Sequence, residues 1–429
     1  MLNKLAGLTL SFRKEVLPCV ALNCVTFKRF KKVIMADPWP ALDKRKAENE
    51  ADETESENKK PRVKRKMHAL LLAYCGQGYL GLQRNQGLKT IEEDIMVALK
   101  KLELINDEEF AKQQLVHFQR AARTDKGVSA LRQVINLNLR DGVKPEDINQ
   151  HLPEQIRILA IKRVTKGFNS KNSCDYRTYS YTCPSFAFAP KSVKLSEDYR
   201  INDEVVENVN KWASCYVGTH NYHNFTSGRK PLDPSCKRHI MSVVCQPPVI
   251  RDELELVTFL VKGQSFMLHQ IRKMIGVLMA IARGYVSPDY INKAFLANEL
   301  LQLPVAPGLG LLLEQVHYDW YNKKYGENGI HEKLDFQDVE DLVSEFREKQ
   351  IYPIIIREEK ENKSMLNYME TLGAHYEEYH SETSDIFSKV LPNDFELEND
   401  TKSSGNKEAE SNDTVSSSEE KIPEASSSN

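Results

Sequence analysis

The chain has 429 residues, enough for two or three domains with a substantial buried core. Hydrophobic residues make up 41% of it and charged residues 28%, as in a globular protein with polar attachments. It contains no run of about eighteen uncharged apolar residues, so we expect no membrane-spanning helix and no membrane partner. The eight cysteines are scattered without zinc-binding spacing, which favours free thiols in a reducing compartment and gives no metal signal.

The net charge of −2 conceals a marked asymmetry along the chain. Lys and Arg minus Asp and Glu gives +3 for 1–61, +9 for 62–320 and −14 for 321–429. The middle section is basic enough to approach a phosphate backbone. An ordinary solvated surface would carry the same charge, so charge alone leaves both interpretations open.

The N-terminal segment, 1–66, has the composition of a disordered targeting segment. Residues 1–34 are basic and contain Glu15 as the single carboxylate, which is typical of a mitochondrial transit peptide. Basic clusters at 44–46 and 59–66 then suit a bipartite nuclear signal, and Met35 is a plausible second start. A basic arm that assists RNA binding is the alternative. We expect the protein in both nucleus and mitochondrion.

The first predicted subdomain, 67–190, mixes strands and helices. An apolar strand covers 68–75, and a helix begins at Thr90, with Glu93 completing a capping box. Further strands are predicted over 135–140, where apolar and polar residues alternate, and over 176–182. The buried face of the first helix is predicted from its apolar spacing to hold Ile91, Ile95, Leu99 and Leu102.

The second predicted subdomain, 191–325, has a helix striped by Val205, Val206, Val209, Trp212 and Tyr216. A strand over 254–262, an apolar helix over 267–283 and a strand over 311–318 follow. Strands and helices mix without regular βαβ alternation, so the sequence predicts an α+β fold with mostly antiparallel sheet. Residues 326–391 suggest a helical extension, and 392–429 a disordered acidic tail.

One short segment concentrates the candidate chemistry. Residues 119–130 place one carboxylate, Asp125, among Arg120, Arg123 and Lys126, followed by Gly127. Nearby positive charge holds a carboxylate ionised, and the glycine permits a sharp turn. A charged surface turn is the plainer interpretation of the same residues.

Two further segments supply groups that could act with such a carboxylate. Arg272 lies in an apolar helical pattern, where an arginine either pairs with a buried anion or extends to solvent. Lys273 beside it could compete for the same anion. In 175–181, strand alternation puts Arg177, Tyr179 and Tyr181 on one face, where tyrosines most often pack in a core.

The run Ala-Arg-Thr-Asp-Lys-Gly-Val-Ser-Ala at 122–130 resembles the catalytic loop of the TruA-type pseudouridine synthases, and its eukaryotic members in particular. The segments 78–84, 175–181, 219–227, 266–276 and 306–311 also resemble that family, in the family's order. Leu82 departs from the pattern, since many members have tryptophan there. The resemblance covers roughly 67–320.

The resemblance implies two mixed subdomains around a central RNA-binding cleft and conversion of uridine to pseudouridine, in tRNA and also in snRNA and mRNA. It implies that Asp125 is the catalytic nucleophile or charge stabiliser, that Arg272 pairs with it and that Tyr179 stacks on the uracil. No cofactor and no obligate protein partner are expected, and the chain is expected to be a monomer. The residues expected to bind RNA are Arg84, Arg120, Arg123, Lys126, Arg177 and Lys273.

Two alternative functions compete with this interpretation. Residues 76–81 satisfy Gly-x-Gly-x-x-Gly after an apolar strand, as in nucleotide-binding oxidoreductases. The helix should then open within the glycine run, yet the helix cap is Thr90. A non-catalytic RNA-binding protein on the same scaffold is the second alternative, and it would need no set of Asp125, Tyr179 and Arg272.

Overall fold

We describe residues 64–376, except 86 and 328, in a computed structural model of the chain. All of them belong to the larger of two compact units, Val63–Asn429. The predicted targeting segment falls outside the described residues up to position 63, and the predicted acidic tail falls outside them entirely.

The described residues form one large sheet flanked by helices. The strands are β1 (Arg65–Tyr74), β2 (Gln119–Arg120), β3 (Ser129–Arg140), β4 (Ile156–Arg163), β5 (Tyr176–Pro184), β6 (Gly218–Asn221), β7 (Lys237–Cys245), β8 (Val249–Arg251), β9 (Leu254–Gly263) and β10 (Leu311–His317). The helices are α1 (Ile91–Lys101), α2 (Asp107–Ala111), α3 (Pro145–Asn149), α4 (Asp203–Ala213), α5 (Gln270–Arg283), α6 (Tyr290–Lys293), α7 (Asp319–Tyr325), α8 (Glu340–Phe346) and α9 (Tyr352–Asn362). A π-helical turn joins α8 to α9, and residues 364–376 are also helical.

The strand order is β4-β1-β3-β10-β5-β9-β7-β6, with β2 beside β3 and β8 beside β9. Every pairing is antiparallel except that of β3 with β10. The predicted α+β class with mostly antiparallel sheet is therefore confirmed. Strands of both predicted subdomains share this sheet, since β10 lies between β3 and β5, and the boundary near 190 stays a prediction.

The parallel pair determines where the functional segments meet. Leu312 and Leu313 of β10 pair with Ser129 and Ala130 of β3, at the start of each strand. Parallel strands begin at the same edge of a sheet. The segment before β3, which carries Asp125, and the segment before β10 therefore come together at one edge.

The first helix begins as predicted, with half of the expected capping box. The Thr90 hydroxyl accepts a hydrogen bond from the Glu93 backbone nitrogen. The Glu93 carboxylate does not bond back to Thr90, because it binds the guanidinium of Arg84. Ile91 and Ile95, on the predicted inner face, are at most 1% exposed.

The glycine-rich run after β1 does not belong to a dinucleotide-binding fold. β1 pairs antiparallel with β3 and β4, whereas that fold needs parallel βαβ units. The helix that follows opens only at Ile91. A Cβ added to Gly76 would lie 2.3 Å from the Val128 carbonyl oxygen, so the run packs against the segment carrying Asp125. The structure excludes the oxidoreductase alternative.

The helical segments after β10 are tied to the sheet by charged pairs. Arg347, in the turn joining α8 to α9, pairs with Glu314 of β10 at 2.7 Å. Arg132 of β3 pairs with Glu340 of α8. Since β3 and β10 are the parallel pair, these contacts attach the helical segments to both strands of the join.

Candidate active site

A cavity of about 680 Å³ opens beside the segment that precedes β3. Asp125 and Tyr179 both line it, together with the residues 265–271 that lead into α5. An adjoining cavity of about 410 Å³ adds Arg272 and Lys126, and it shares Asp125 with the first. The sequence-predicted trio therefore meets around two neighbouring spaces.

The backbone on either side of Asp125 is held by buried contacts. The hydroxyl of Tyr74 lies 2.8 Å from that of Thr124, and both residues are buried. The Leu82 backbone nitrogen donates to the Thr124 carbonyl oxygen. A Cβ on Gly81 would lie 2.9 Å from the same oxygen, so the glycine permits this close packing. These contacts fix the backbone from which the Asp125 side chain extends.

The Asp125 carboxylate is 29% exposed and has one titratable neighbour at close range. Its Oδ2 lies 3.8 Å from Nε2 of His269, which is longer than a hydrogen bond. Arg123 and Lys126 flank it, and both are exposed. Within the described part of the chain, neither of these two side chains forms a hydrogen bond or an ion pair. Both cations therefore remain available for phosphate groups.

Arg272 lies against the Asp125 loop without pairing with the carboxylate in this structure. Its Nε donates to the Ala306 carbonyl oxygen at 2.6 Å, and its own carbonyl oxygen accepts from the Ala306 nitrogen. A Cβ on Gly308 would lie 3.6 Å from its Cζ and 3.2 Å from the Lys126 carbonyl oxygen. Gly308, in the segment before β10, thus lies close both to this guanidinium and to the loop of Asp125.

Tyr179 forms a wall of the larger cavity. Its ring is 6% exposed and meets the edge of Phe266, with ring centroids 5.1 Å apart. Burial raises the pKa of its phenol to about 12, and the charge of Asp125 acts in the same direction. Tyr179 therefore presents a protonated, nearly dry aromatic surface beside the carboxylate.

Four of the six predicted RNA-binding residues are engaged by protein groups. Arg84 binds Glu93 and the Phe110 carbonyl, and Arg120 binds the buried Glu92, so both guanidinium groups are occupied. Arg120 nonetheless lines the larger cavity, whereas Arg84 lines neither cavity.

Arg177 also lines the larger cavity, but it donates to the carbonyl oxygens of Gln264 and Ala121, each at 2.8 Å. Lys273 is 8% exposed, and its ammonium donates to the carbonyl oxygens of Asn224 and Thr226, each at 2.9 Å. Lys273 lines neither cavity, so the structure does not bring it to the site.

Sequence reasoning missed several residues that line the larger cavity. Lys171, Arg229 and Arg238 add positive charge at its rim, and His269 faces Asp125. Arg238 has a buried Nε for which no partner is found among the described residues. His269 belongs to the sequence motif around Arg272. Its position three residues before that arginine was the only sequence signal that could have identified it.

Two classes of site are not found in the described residues. No group of three or more His, Cys, Asp or Glu is arranged there to hold a metal ion. No helix within the same residues has the length and apolar character needed to cross a membrane.

Comparisons with known proteins assign the chain to a family. The family described as tRNA pseudouridine synthase matches residues 213–319. A Pseudouridylate synthase 1 homolog from Homo sapiens is 48% identical over 71% of this chain and 73% of its own length. The Mus musculus protein of that name is 47% identical over 73% and 74%. The tRNA pseudouridine synthase 1 of Yarrowia lipolytica is 32% identical over 69% and 72%.

The chain belongs to the tRNA pseudouridine synthase family. It is a pseudouridine synthase, an isomerase, and the predicted family and enzyme class are confirmed.

Proposed function

We propose that this enzyme converts uridine to pseudouridine in tRNA, with Asp125 as the carboxylate that acts on C1′ of the target nucleotide. The observation that carries the proposal is the partly exposed Asp125, which opens into a cavity beside a buried tyrosine ring. The tRNA substrate is taken from the names of relatives such as the Yarrowia lipolytica enzyme. Breaking the bond from C1′ to N1 needs a group that stabilises positive charge at C1′ or attacks it, and a carboxylate does either.

Tyr179 is proposed to hold the uracil ring while it is detached from the sugar. Its ring is fixed by the edge contact with Phe266 and faces the same cavity as Asp125. Aromatic stacking is worth about 1–3 kcal/mol per base. That is enough to keep a loose base in place during its rotation.

Arg272 is proposed to stabilise the charge of Asp125 during the reaction. Its guanidinium lines the smaller cavity together with Asp125, and it is anchored by the Ala306 carbonyl rather than by another carboxylate. A cation that no acid neutralises contributes its full field to a neighbouring carboxylate in a closed cleft.

The RNA backbone is proposed to follow the exposed cations around the cavity. Arg123 and Lys126 flank Asp125, and Lys171, Arg229 and Arg238 line the larger space. The section 62–320 carries a net charge of +9, as phosphate neutralisation requires. Arg120 and Arg177 are proposed to shape the floor, because their guanidinium groups already bind protein oxygens.

A wider substrate range and a dual address are proposed on the sequence alone. We propose snRNA and mRNA as further substrates, a monomeric enzyme, and delivery to nucleus and mitochondrion through the segment before residue 67. Tagged proteins starting at Met1 or at Met35 test the address. A short form that still enters mitochondria would remove residues 1–34 from the explanation.

The catalytic proposal is tested with two variants. Asp125→Asn keeps the shape of the side chain and removes its charge, so it should abolish conversion of a tRNA transcript and preserve RNA affinity. Arg272→Met should also inactivate the enzyme, with RNA affinity reduced by at most one phosphate contact. The assay is single-turnover formation of pseudouridine, read by mass spectrometry of the digested RNA.

A matched control is Asp252→Asn, an exposed aspartate in the turn between β8 and β9. Asn tolerates the left-handed backbone found there, so this variant should convert RNA as the unchanged enzyme does. An active Asp125→Asn would remove that residue from the chemistry. An enzyme that binds tRNA but never forms pseudouridine would instead favour the non-catalytic alternative.

A further inference from the structure

The isomerisation needs a base that acts at C5 of the uracil, in addition to the group that acts at C1′. The bond from C1′ to N1 breaks and its electron pair leaves with the base. After the base has rotated, a bond forms between C1′ and C5. C5 then carries both its own hydrogen and the sugar. A base must take that C5 proton, its bonding pair restores the ring double bond, and the former N1 gains one proton. Atoms and electrons balance without an oxidant or a cofactor.

Most of the titratable side chains that line the two cavities cannot accept this proton. The arginine and lysine side chains are already cationic. Asp125 is proposed to act at C1′, so it is engaged when C5 must be deprotonated. Tyr179 carries a proton of its own, and burial holds the pKa of its phenol near 12, which disfavours the phenolate that a base would need.

His269 satisfies the geometric requirement. It lines both cavities, and its Nε2 lies 3.8 Å from Oδ2 of Asp125. Its side chain is 30% exposed, and within the described residues it forms no hydrogen bond with another protein group. Burial and the charge of Arg272 lower its pKa, while Asp125 opposes them, so the neutral imidazole is favoured at neutral pH.

The backbone at His269 supports a functional role. Its φ of 62° and ψ of 2° lie in the left-handed region immediately before α5. Side chains other than glycine and asparagine seldom adopt this conformation, and such residues concentrate at active sites. The Gln270 side chain accepts from the Met267 nitrogen and thereby stabilises this turn. The turn places the imidazole opposite Asp125 instead of continuing the helix toward Met267.

We propose that His269 is the catalytic base that removes the C5 proton. The proposal rests on the pseudouridine synthase function described above and adds a residue to it. The imidazole would take the proton at Nε2 and pass it to water or to the former N1, while Asp125 is engaged at C1′.

The test uses a tRNA transcript that the unchanged enzyme converts, made once with ordinary uridine and once with uridine deuterated at C5. Single-turnover rates are measured for the unchanged enzyme, His269→Asn, His269→Gln and Tyr179→Phe. Asn tolerates the left-handed backbone, so His269→Asn separates the loss of the base from the loss of the turn. His151→Gln, at an exposed position outside both cavities, is the matched control.

Both His269 variants should slow conversion about 100-fold or more, as expected for loss of a general base. For both variants, the ratio of the rate on ordinary RNA to the rate on deuterated RNA should rise above the ratio of the unchanged enzyme. The reason is that proton removal becomes rate-limiting. This ratio does not depend on the fraction of folded protein. Tyr179→Phe and His151→Gln should keep the unchanged ratio.

Several outcomes would overturn the inference. A fully active His269→Asn would exclude His269 as the base. A slow His269→Asn whose isotope ratio is unchanged would give His269 a purely structural role. A raised ratio in Tyr179→Phe alone would assign the proton to the tyrosine. If the unchanged enzyme forms no pseudouridine, the proposed function itself fails and the inference fails with it.

Discussion

Replacing Lys273 by Met is expected to destabilise the fold without weakening a phosphate contact. The ammonium is 8% exposed and donates to the carbonyl oxygens of Asn224 and Thr226 at 2.9 Å each. It thereby joins α5 to the segment that leads into the cavity at Thr226. Met has a similar length and no donor, so the variant leaves two carbonyl oxygens unpaired with little change in volume.

The size of the effect follows from two opposing terms. A buried polar group that loses its partner costs about 1–3 kcal/mol, which gives about 2–6 kcal/mol for two carbonyls. Burial lowers the pKa of Lys273, which shows that the ammonium itself is held at a cost. Removing the ammonium recovers part of this burial cost, which partly offsets the loss from the two unpaired carbonyls. We therefore expect the free energy of unfolding to fall by about 2–4 kcal/mol.

Urea unfolding followed by circular dichroism measures this change. Lys101→Met, at an exposed position on α1, is the control and should alter stability by less than about 0.5 kcal/mol. The dependence of RNA affinity on salt is measured on the same proteins. If Lys273→Met kept its stability and lowered the slope of log K against log salt by about one phosphate contact, Lys273 would be an RNA ligand and the reasoning would be refuted.

Two further predictions concern RNA binding and acid stability. Arg123→Gln and Lys126→Gln should each lower the slope of log K against log salt by about 0.7–0.9, because their exposed cations are free for phosphates, and an unchanged slope would exclude that role. Burial lowers the pKa of His317 from its usual 6.5 to about 4, so the unfolded chain binds a proton before the folded one. The free energy of unfolding should therefore fall by about 3 kcal/mol as pH drops from about 7 to 4, and denaturation of His317→Gln should show a correspondingly flatter pH dependence.

The fold class and the place where the candidate residues meet could be predicted because their signals are local. The start of α1 is specified by Thr90 and the apolar spacing after it. Alternation along one strand put Arg177 and Tyr179 on one face, and both line the cavity. The loop of Asp125 could be assigned from one uninterrupted run of residues.

The use of each cation could not be predicted, because it depends on partners that are distant in sequence. Arg84 pairs with Glu93 and donates to the carbonyl oxygen of Phe110, at separations of 9 and 26 residues. Lys273 is held by carbonyls 49 and 47 residues away. A lysine or arginine close to a motif looks the same in the sequence whether its side chain binds RNA or a backbone carbonyl of the protein itself. The predicted RNA-binding set therefore mixed exposed cations with structural ones.

The start of α5 was also misplaced by the sequence pattern, at the turn that carries His269. The apolar periodicity predicts a helix from 267, whereas the helix begins at Gln270 after a left-handed His269. Hydrophobic periodicity shows which side chains are apolar, but it does not show that a residue adopts a left-handed backbone conformation.

Because of that turn, residues at the N-terminal end of α5 make three different contacts. His269 faces Asp125, Arg272 is anchored to Ala306 before β10, and Lys273 binds the carbonyls around Phe225. Successive helical residues point about 100° apart, so Arg272 and Lys273 must approach different segments. A shift of α5 along its axis would disturb all three contacts at once. The position of this helix relative to the β3–β10 join therefore determines how His269 and Arg272 are placed relative to Asp125.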